Sequence, residues 1–242
     1  ILIDIAMATG DDRTIVRTVR QAQSSAPSGF VWRRYYLKSQ MPKWGGSMAA
    51  QRQFIKEMQR EQPDSPHLVT LRGFVAFTQG DALSSKCQYE ESLAYYDEAL
   101  AHGEDTWYQI GRANAHLCKR DYHAARADLD QILAREPENV EVLYLRGKVY
   151  KWLKHSDLAL ADWNLAIERD RYNSEYLVER ARLHRSERRW ELALRDLDDA
   201  LVHGAFSPDV RAERGRLFLY DLKQNKKAVK ELHEAARLAP DS

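Results

Sequence analysis

Residues 140–173 read VEVLYLRGKVYKWLKHSDLALADWNLAIERDRYN, and residues 174–207 read SEYLVERARLHRSERRWELALRDLDDALVHGAFS. Laid one over the other, these two lines of equal length place Arg146-Gly147 over Arg180-Ala181, Ala159 over Ala193, Trp163 over Leu197 and Ala166 over Ala200. The same spacing of 34 extends in both directions, to Arg112-Ala113 before them and Arg214-Gly215 after. A fixed period of this length marks a repeat architecture, in which each unit buries its apolar face against the next. An earlier pair, Arg72-Gly73, precedes the series by a wider spacing of 40. The surplus is assigned to residues 79–91, where Gly, Asp and two Ser predict a longer loop and hence an insertion in the first repeat.

Downstream of each pair a small residue recurs at Ser92, Ala125, Ala159, Ala193 and Ala228. A bulky one follows four positions later, at Tyr96, Leu129, Trp163, Leu197 and Leu232. Three positions further stand Ala99, Ile132, Ala166, Ala200 and Ala235. Steps of four and three keep these side chains on one helical face, so each unit holds a second helix whose small residues allow close approach. Pro137 and Pro240, and Gly103 and Gly204, stand where that helix should stop.

The pattern resembles the tetratricopeptide family, a 34-residue helix-turn-helix unit with Gly or Ala at its eighth position, Ala at its twentieth and twenty-seventh, and often Pro near its end. The resemblance covers residues 66–242. It departs from the family pattern at the first-repeat insertion, at Ile132 in place of the second Ala, and at one extra residue before Ala228. It implies an all-α fold of helix-turn-helix repeats stacked into a right-handed α-solenoid, with repeats at 66–105, 106–139, 140–173, 174–207 and 208–242. Residues 1–65 form a separate, less regular helical region, with apolar residues at helical spacing over 13–23, 29–40 and 47–60. Between the last two, Pro42 ends a helix, Gly45 and Gly46 allow a sharp turn, and Ser47 caps the next helix. This Trp44-Gly45-Gly46-Ser47 element resembles the signature of an uncharacterised bacterial family; Trp44 is read as a buried turn anchor in preference to a ligand-facing ring.

Composition narrows the function. The chain has 242 residues, 44% hydrophobic and 30% charged, which suits a folded domain. Lys and Arg total 37 against 36 Asp and Glu, so no global charge draws it to nucleic acid or an anionic membrane. No apolar run approaches the roughly 20 residues of a membrane-spanning helix. Cys87 and Cys118 lack any metal-ligand or disulfide pattern and read as free thiols of the cytoplasm. The chain opens on Ile1 without a basic segment, which reads as the loss of a natural beginning. No nucleophile–base pair, paired carboxylates, phosphate-cradling loop or metal spacing stands out, so neither an enzyme nor a cofactor is expected. His116 and His184 share one repeat position and are read as packing residues.

The resemblance implies that first helices line a concave groove that takes extended peptides or helices of a protein partner. Groove positions then fall on Phe74, Asn114, Lys148, Arg182 and Arg216, and on Phe77, Leu117, Lys151, Arg185 and Leu219. With Tyr144, Trp152 and Tyr220 beside them, Lys148, Lys151, Arg182, Arg185 and Arg216 are the expected partner-binding set, suited to an acidic or amphipathic segment. The family's carboxylate-clamp subset is matched only at Asn114. The arginine column Arg72, Arg112, Arg146, Arg180 and Arg214 runs beside Asp128, Asp162, Asp196 and Glu231, and is expected to form structural ion pairs. Glu141, Glu175 and Asp209, at the starts of first helices, are read as partners of the helix dipole. Two other functions stay open: self-assembly through Leu232 and Leu238 of the last repeat, and a recognition arm for an enzyme or toxin-neutralising protein whose activity lies in residues 1–65.

Overall fold

The computed structural model describes residues 14, 17, 18, 21, 30–42, 45–61, 66–203 and 207–239. Trp44, Gly204, Pro240 and most of the expected helix over 13–23 lie outside them. Among the described residues the regular structure is helical and there is no strand. The helices are α1 (Phe30–Ser39), α2 (Met48–Glu61), α3 (Pro66–Arg72), α4 (Phe74–Ser84), α5 (Tyr89–Ala101), α6 (Thr106–Cys118), α7 (Tyr122–Arg135), α8 (Val140–Trp152), α9 (Ser156–Arg169), α10 (Ser174–Ser186), α11 (Trp190–His203), α12 (Pro208–Arg216) and α13 (Asn225–Leu238).

Local chemistry sets the helix ends. Side-chain oxygens of Asp105, Asp121, Asn139 and Asn173 accept from backbone N–H groups in the first turns of α6, α7, α8 and α10, satisfying donors that the helix leaves unpaired. Ser47 caps α2 as expected, its Oγ accepting from Ala50 N at 3.1 Å. Just before it Gly45 has φ of 86°, and a Cβ on Gly46 would lie 2.3 Å from Gln40 backbone atoms. Each helix-turn-helix connection passes through one left-handed residue: Cys87, Arg120, Lys154, Arg188 and Lys223, with φ between 56° and 65°. The amide after Lys154 donates to Tyr150 O at 2.9 Å and that after Arg188 to His184 O at 2.8 Å, the backbone closure that ends a helix and turns the chain.

The chain divides into two compact units, Ile1–Arg120 and Asp121–Ser242. In the first, α4 packs on α5, α5 on α6, and α2 on both α3 and α4. Its core centres on Leu37, Phe74, Phe77, Tyr96 and Tyr108. Fully buried Gln51 donates through its amide nitrogen to Leu37 O at 3.1 Å and to Thr78 Oγ1 at 3.0 Å, so α2 bonds to α1 and α4 inside the core. In the second unit α7 to α13 pack each on the next. Trp163 is completely buried over Gly147, where an added Cβ would lie 2.3 Å from its Nε1. The indole donates to Tyr144 O at 3.1 Å. Truncating a ring buried this deeply typically costs about 3–5 kcal/mol.

Two expectations need correction. Residues 79–91 are not a long loop, since α4 runs to Ser84 and α5 starts at Tyr89. The packing glycine of this hairpin is Gly80, not Gly73. A Cβ on Gly80 would meet Tyr96 at 2.9 Å, as one on Gly147 meets Trp163 and one on Gly215 meets Leu232 at 2.7 Å. Gln79 Nε2 donates to Tyr95 Oη at 2.9 Å, across the same sequence separation of 16 that joins Arg146 to Asp162. The hairpin therefore carries no insertion, and the surplus residues form α3 ahead of it. Gly73 lies where α3 meets α4, and its Cβ would come within 2.5 Å of Ala99 O. The other irregularity, the extra residue before Ala228, is absorbed in a π-helical turn over Leu217–Asp221. There Leu222 N donates to Leu217 O at 3.0 Å and Gln224 N to Phe218 O at 2.8 Å, each reaching one residue further back than in the other hairpins.

Candidate functional site

The arginine column is structural in the second unit. Arg146 holds Asp162 through two bonds of 2.8 Å and Asp130 through a third of 2.8 Å. Arg180 grips Asp196 at 2.9 and 2.6 Å and Asn164 at 2.6 Å. Arg214 joins Glu231 at 2.6 Å and Asp198 at 2.5 Å. Each guanidinium thus ties its own second helix to the preceding one, fixing how successive hairpins stack. Forked Arg–carboxylate pairs suit this because their geometry is directional. The second acceptor column, Asp130, Asn164 and Asp198, also recurs at a spacing of 34 and lies outside the expected acid column. Arg72 is outside this ladder, because Gln79 occupies the equivalent place.

The first helices α8, α10 and α12 enclose a cleft of about 420 Å³. Tyr144, Lys148 and Arg182 of the expected binding set line it, together with Val178, Glu179 and Val210. The Lys148 ammonium lies 5.3 Å from the Tyr144 ring centroid, and Tyr144 packs on Tyr176 at 5.0 Å. Burial pushes the Tyr144 phenol up, and nearby Glu179 and Glu175 add to the shift, so it stays protonated and can donate.

The other expected cations are gathered around carboxylates. Glu179 Oε2 receives Lys151 Nζ at 2.8 Å, and its Oε1 receives Arg182 Nη1 at 2.6 Å. Glu213 Oε1 accepts from Arg182 Nε at 3.0 Å and Nη2 at 2.8 Å and from Arg216 Nη1 at 2.9 Å. Arg185 bonds Asp221 at 2.5 Å and lies 3.9 Å from Glu213. Burial pushes the Glu179 carboxyl up, but Lys151 and Arg182 outweigh it and hold it below the ordinary carboxylate range. Glu179 and Glu213 are 9% and 7% exposed. The strip read from the sequence as a row of cations is therefore a mixed network, and the cleft carries Lys148 and Arg182 against Glu175, Glu179 and Asp209. Among the described residues, Lys148 alone of the expected cations has no carboxylate within ion-pair distance.

Trp152 and Tyr220 do not line this cleft. Trp152 is 52% exposed and stacks on Tyr122 at 5.8 Å with rings nearly parallel, while Tyr220 is 59% exposed on the π-helical turn. Glu175 and Asp209 sit in first turns, as their dipole role requires, and also face the cleft. His184 is buried, and that burial pushes its imidazole below the ordinary value despite Asp196 nearby. Leu232, expected to be open for self-association, packs over Gly215 and is half-buried. Among the described residues no helix is long and apolar enough to cross a membrane.

Residues 110–174 match the tetratricopeptide repeat family model. No curated protein matches the chain. Among solved structures, TTC0263 of Thermus thermophilus, described as a thermophilic tetratricopeptide-repeat protein, superposes with a TM-score of 0.62 at 17% identity over 70% of this chain and 93% of its own. MamA from Desulfovibrio magneticus RS-1 gives a TM-score of 0.59 at 17% identity, over 70% and 97% of the two chains. YrrB, described as having an unusual peptide-binding site, gives 0.52 at 23% identity, over 77% and 92%. The chain is all-α and built from helical hairpins of the tetratricopeptide type.

Proposed function

We propose that this chain is a non-catalytic scaffold that binds an amphipathic segment of a protein partner in the cleft between α8, α10 and α12. The observation carrying this reading is the pairing there of Lys148, which has no carboxylate partner among the described residues, with Tyr144, Val178 and Val210 as an apolar floor. An acidic side chain would meet Lys148, and its apolar neighbours would cover Tyr144 and the valines. YrrB, with its peptide-binding site, is a precedent for the fold alone. The free, exposed Cys87 and Cys118 fit the reducing cytoplasm.

A displayed library of random peptides selected against the whole chain tests this. Recovered sequences should place an acidic residue beside aliphatic or aromatic ones and should lose binding to Lys148→Glu. Enrichment of unrelated sequences, or of sequences indifferent to Lys148→Glu and Tyr144→Ala, would refute the cleft. Self-association is a second reading, favoured by Val229, which is 67% exposed on α13. Light scattering that gives a monomer at high concentration removes it.

A further inference from the structure

A pocket of about 430 Å³ opens in the first unit between α2, the α3–α4 junction and α5, within the size range of small-ligand sites. Arg52, Lys56 and Arg72 line it against a single carboxylate, Glu98, a net charge of +2. Among the described residues none of the three cations has a carboxylate within ion-pair distance. Arg72 is instead oriented by a neutral group. The Gln59 amide, with its oxygen turned toward α3, accepts from Arg72 Nε at 2.9 Å and Nη2 at 2.7 Å. This fixes the guanidinium without cancelling its charge. The floor is apolar, with Ile55, Val75 and Ala76, and the Tyr95 ring stands beside them.

We infer that this pocket binds a phosphate monoester carried on an apolar or aromatic group. The phosphate carries close to −2 at neutral pH and three acceptor oxygens, which matches the net +2. Two guanidinium groups supply forked donors and Lys56 a point charge, the combination that favours a compact dianion over a single carboxylate. The organic part rests on Val75, Ala76 and Tyr95. A free small molecule and a phosphorylated side chain of a peptide share this chemistry. The site is independent of the cleft in the second unit and stands if that reading fails.

Calorimetric titration of the whole chain with phenyl phosphate, in a phosphate-free, low-salt buffer, is the test. Saturable one-to-one binding is expected, about tenfold weaker for benzoate and about tenfold weaker in Arg52→Gln and in Arg72→Gln, with Lys226→Gln, an exposed lysine that lines neither pocket, unchanged. Affinity should fall as salt rises. A short phosphotyrosine peptide that binds more tightly than phenyl phosphate assigns the ligand to a phosphorylated protein, and one that binds no better assigns it to a free monoester. The substituted guanidinium groups are exposed, so both variants should fold; if either does not, Lys56→Gln carries the same readout. No saturable binding of either probe, or undiminished binding by the variants, overturns the inference.

Discussion

Each unit carries a cluster of cations on its helices, and the two clusters have opposite fates. In the second unit Lys151, Arg182, Arg185 and Arg216 close around Glu179, Glu213 and Asp221. In the first, Arg52, Lys56 and Arg72 share a pocket with Glu98, and Arg72 leans on the neutral amide of Gln59. A charge in the sequence is thus no measure of a charge available to a ligand, because a buried carboxylate on the next helix can use it up. Where the acids are buried, the cations are part of the fold. Where they are not, the cations are left for something else.

The contrast would break most visibly at Glu213, which bonds Arg182 and Arg216 and lies close to Arg185. Glu213→Ala removes the acceptor that Arg182 and Arg216 share, while Arg182 keeps Glu179 and Arg185 keeps Asp221, and should cost about 2–3 kcal/mol in denaturant unfolding. A loss below about 1 kcal/mol would show that the network is surface decoration. Arg182→Gln removes the bridge between Glu179 and Glu213 while Lys151 still serves one of them and Arg216 the other. Its expected cost is smaller, about 1–2 kcal/mol.

The sequence showed the hairpins plainly because packing enforces the pattern directly: a large ring such as Trp163 demands a small residue such as Gly147 opposite it. The register of the first repeat is hidden because Arg72-Gly73 imitates the Arg–small pair, whereas the structural equivalent, Gln79-Gly80, has a neutral bond to Tyr95 in place of an ion pair with a carboxylate. Of the expected site, Tyr144, Lys148 and Arg182 do meet in one cleft. The positive field expected there is offset by Glu175, Glu179 and Asp209. The paired stretches Glu179-Arg180-Ala181-Arg182 and Glu213-Arg214-Gly215-Arg216, one repeat apart, carried the missing acids in plain view. What they could not convey is which helix face each Glu takes. The pocket in the first unit draws on α2, which lies outside the repeats, and on Arg72, which the period groups with the structural arginines, so the repeat columns point away from it.

Acid should sharpen the comparison further. Lys151 and Arg182 hold the folded-state Glu179 carboxyl below its ordinary value of 4.5. Its stabilising contribution is therefore complete above that value and is lost as pH falls through the lower folded-state value. Denaturant midpoints measured from pH 7 downward should decline in that window, and Glu179→Gln should flatten the decline. His184 acts at higher pH with the same sense: its imidazole resists protonation in the fold, so stability falls as pH drops from 6.5 toward its lowered value. A variant His184→Leu should abolish that shallower slope.

The smallest effect is the most telling for the first unit. Arg72 is exposed, its bonding partner is a neutral amide, and no carboxylate among the described residues depends on it. Replacing it by Gln removes a full positive charge yet strands no buried group, so the unfolding free energy should move by no more than about 0.5 kcal/mol. Arg182→Gln, the same chemical change in the second unit, withdraws a donor from two carboxylates that are nearly out of water. If the two variants cost the same, the cations of the two units are alike and the distinction between structural and available charge fails. If they differ as expected while only Arg72→Gln weakens phenyl phosphate, stability and anion recognition are carried by different arginines.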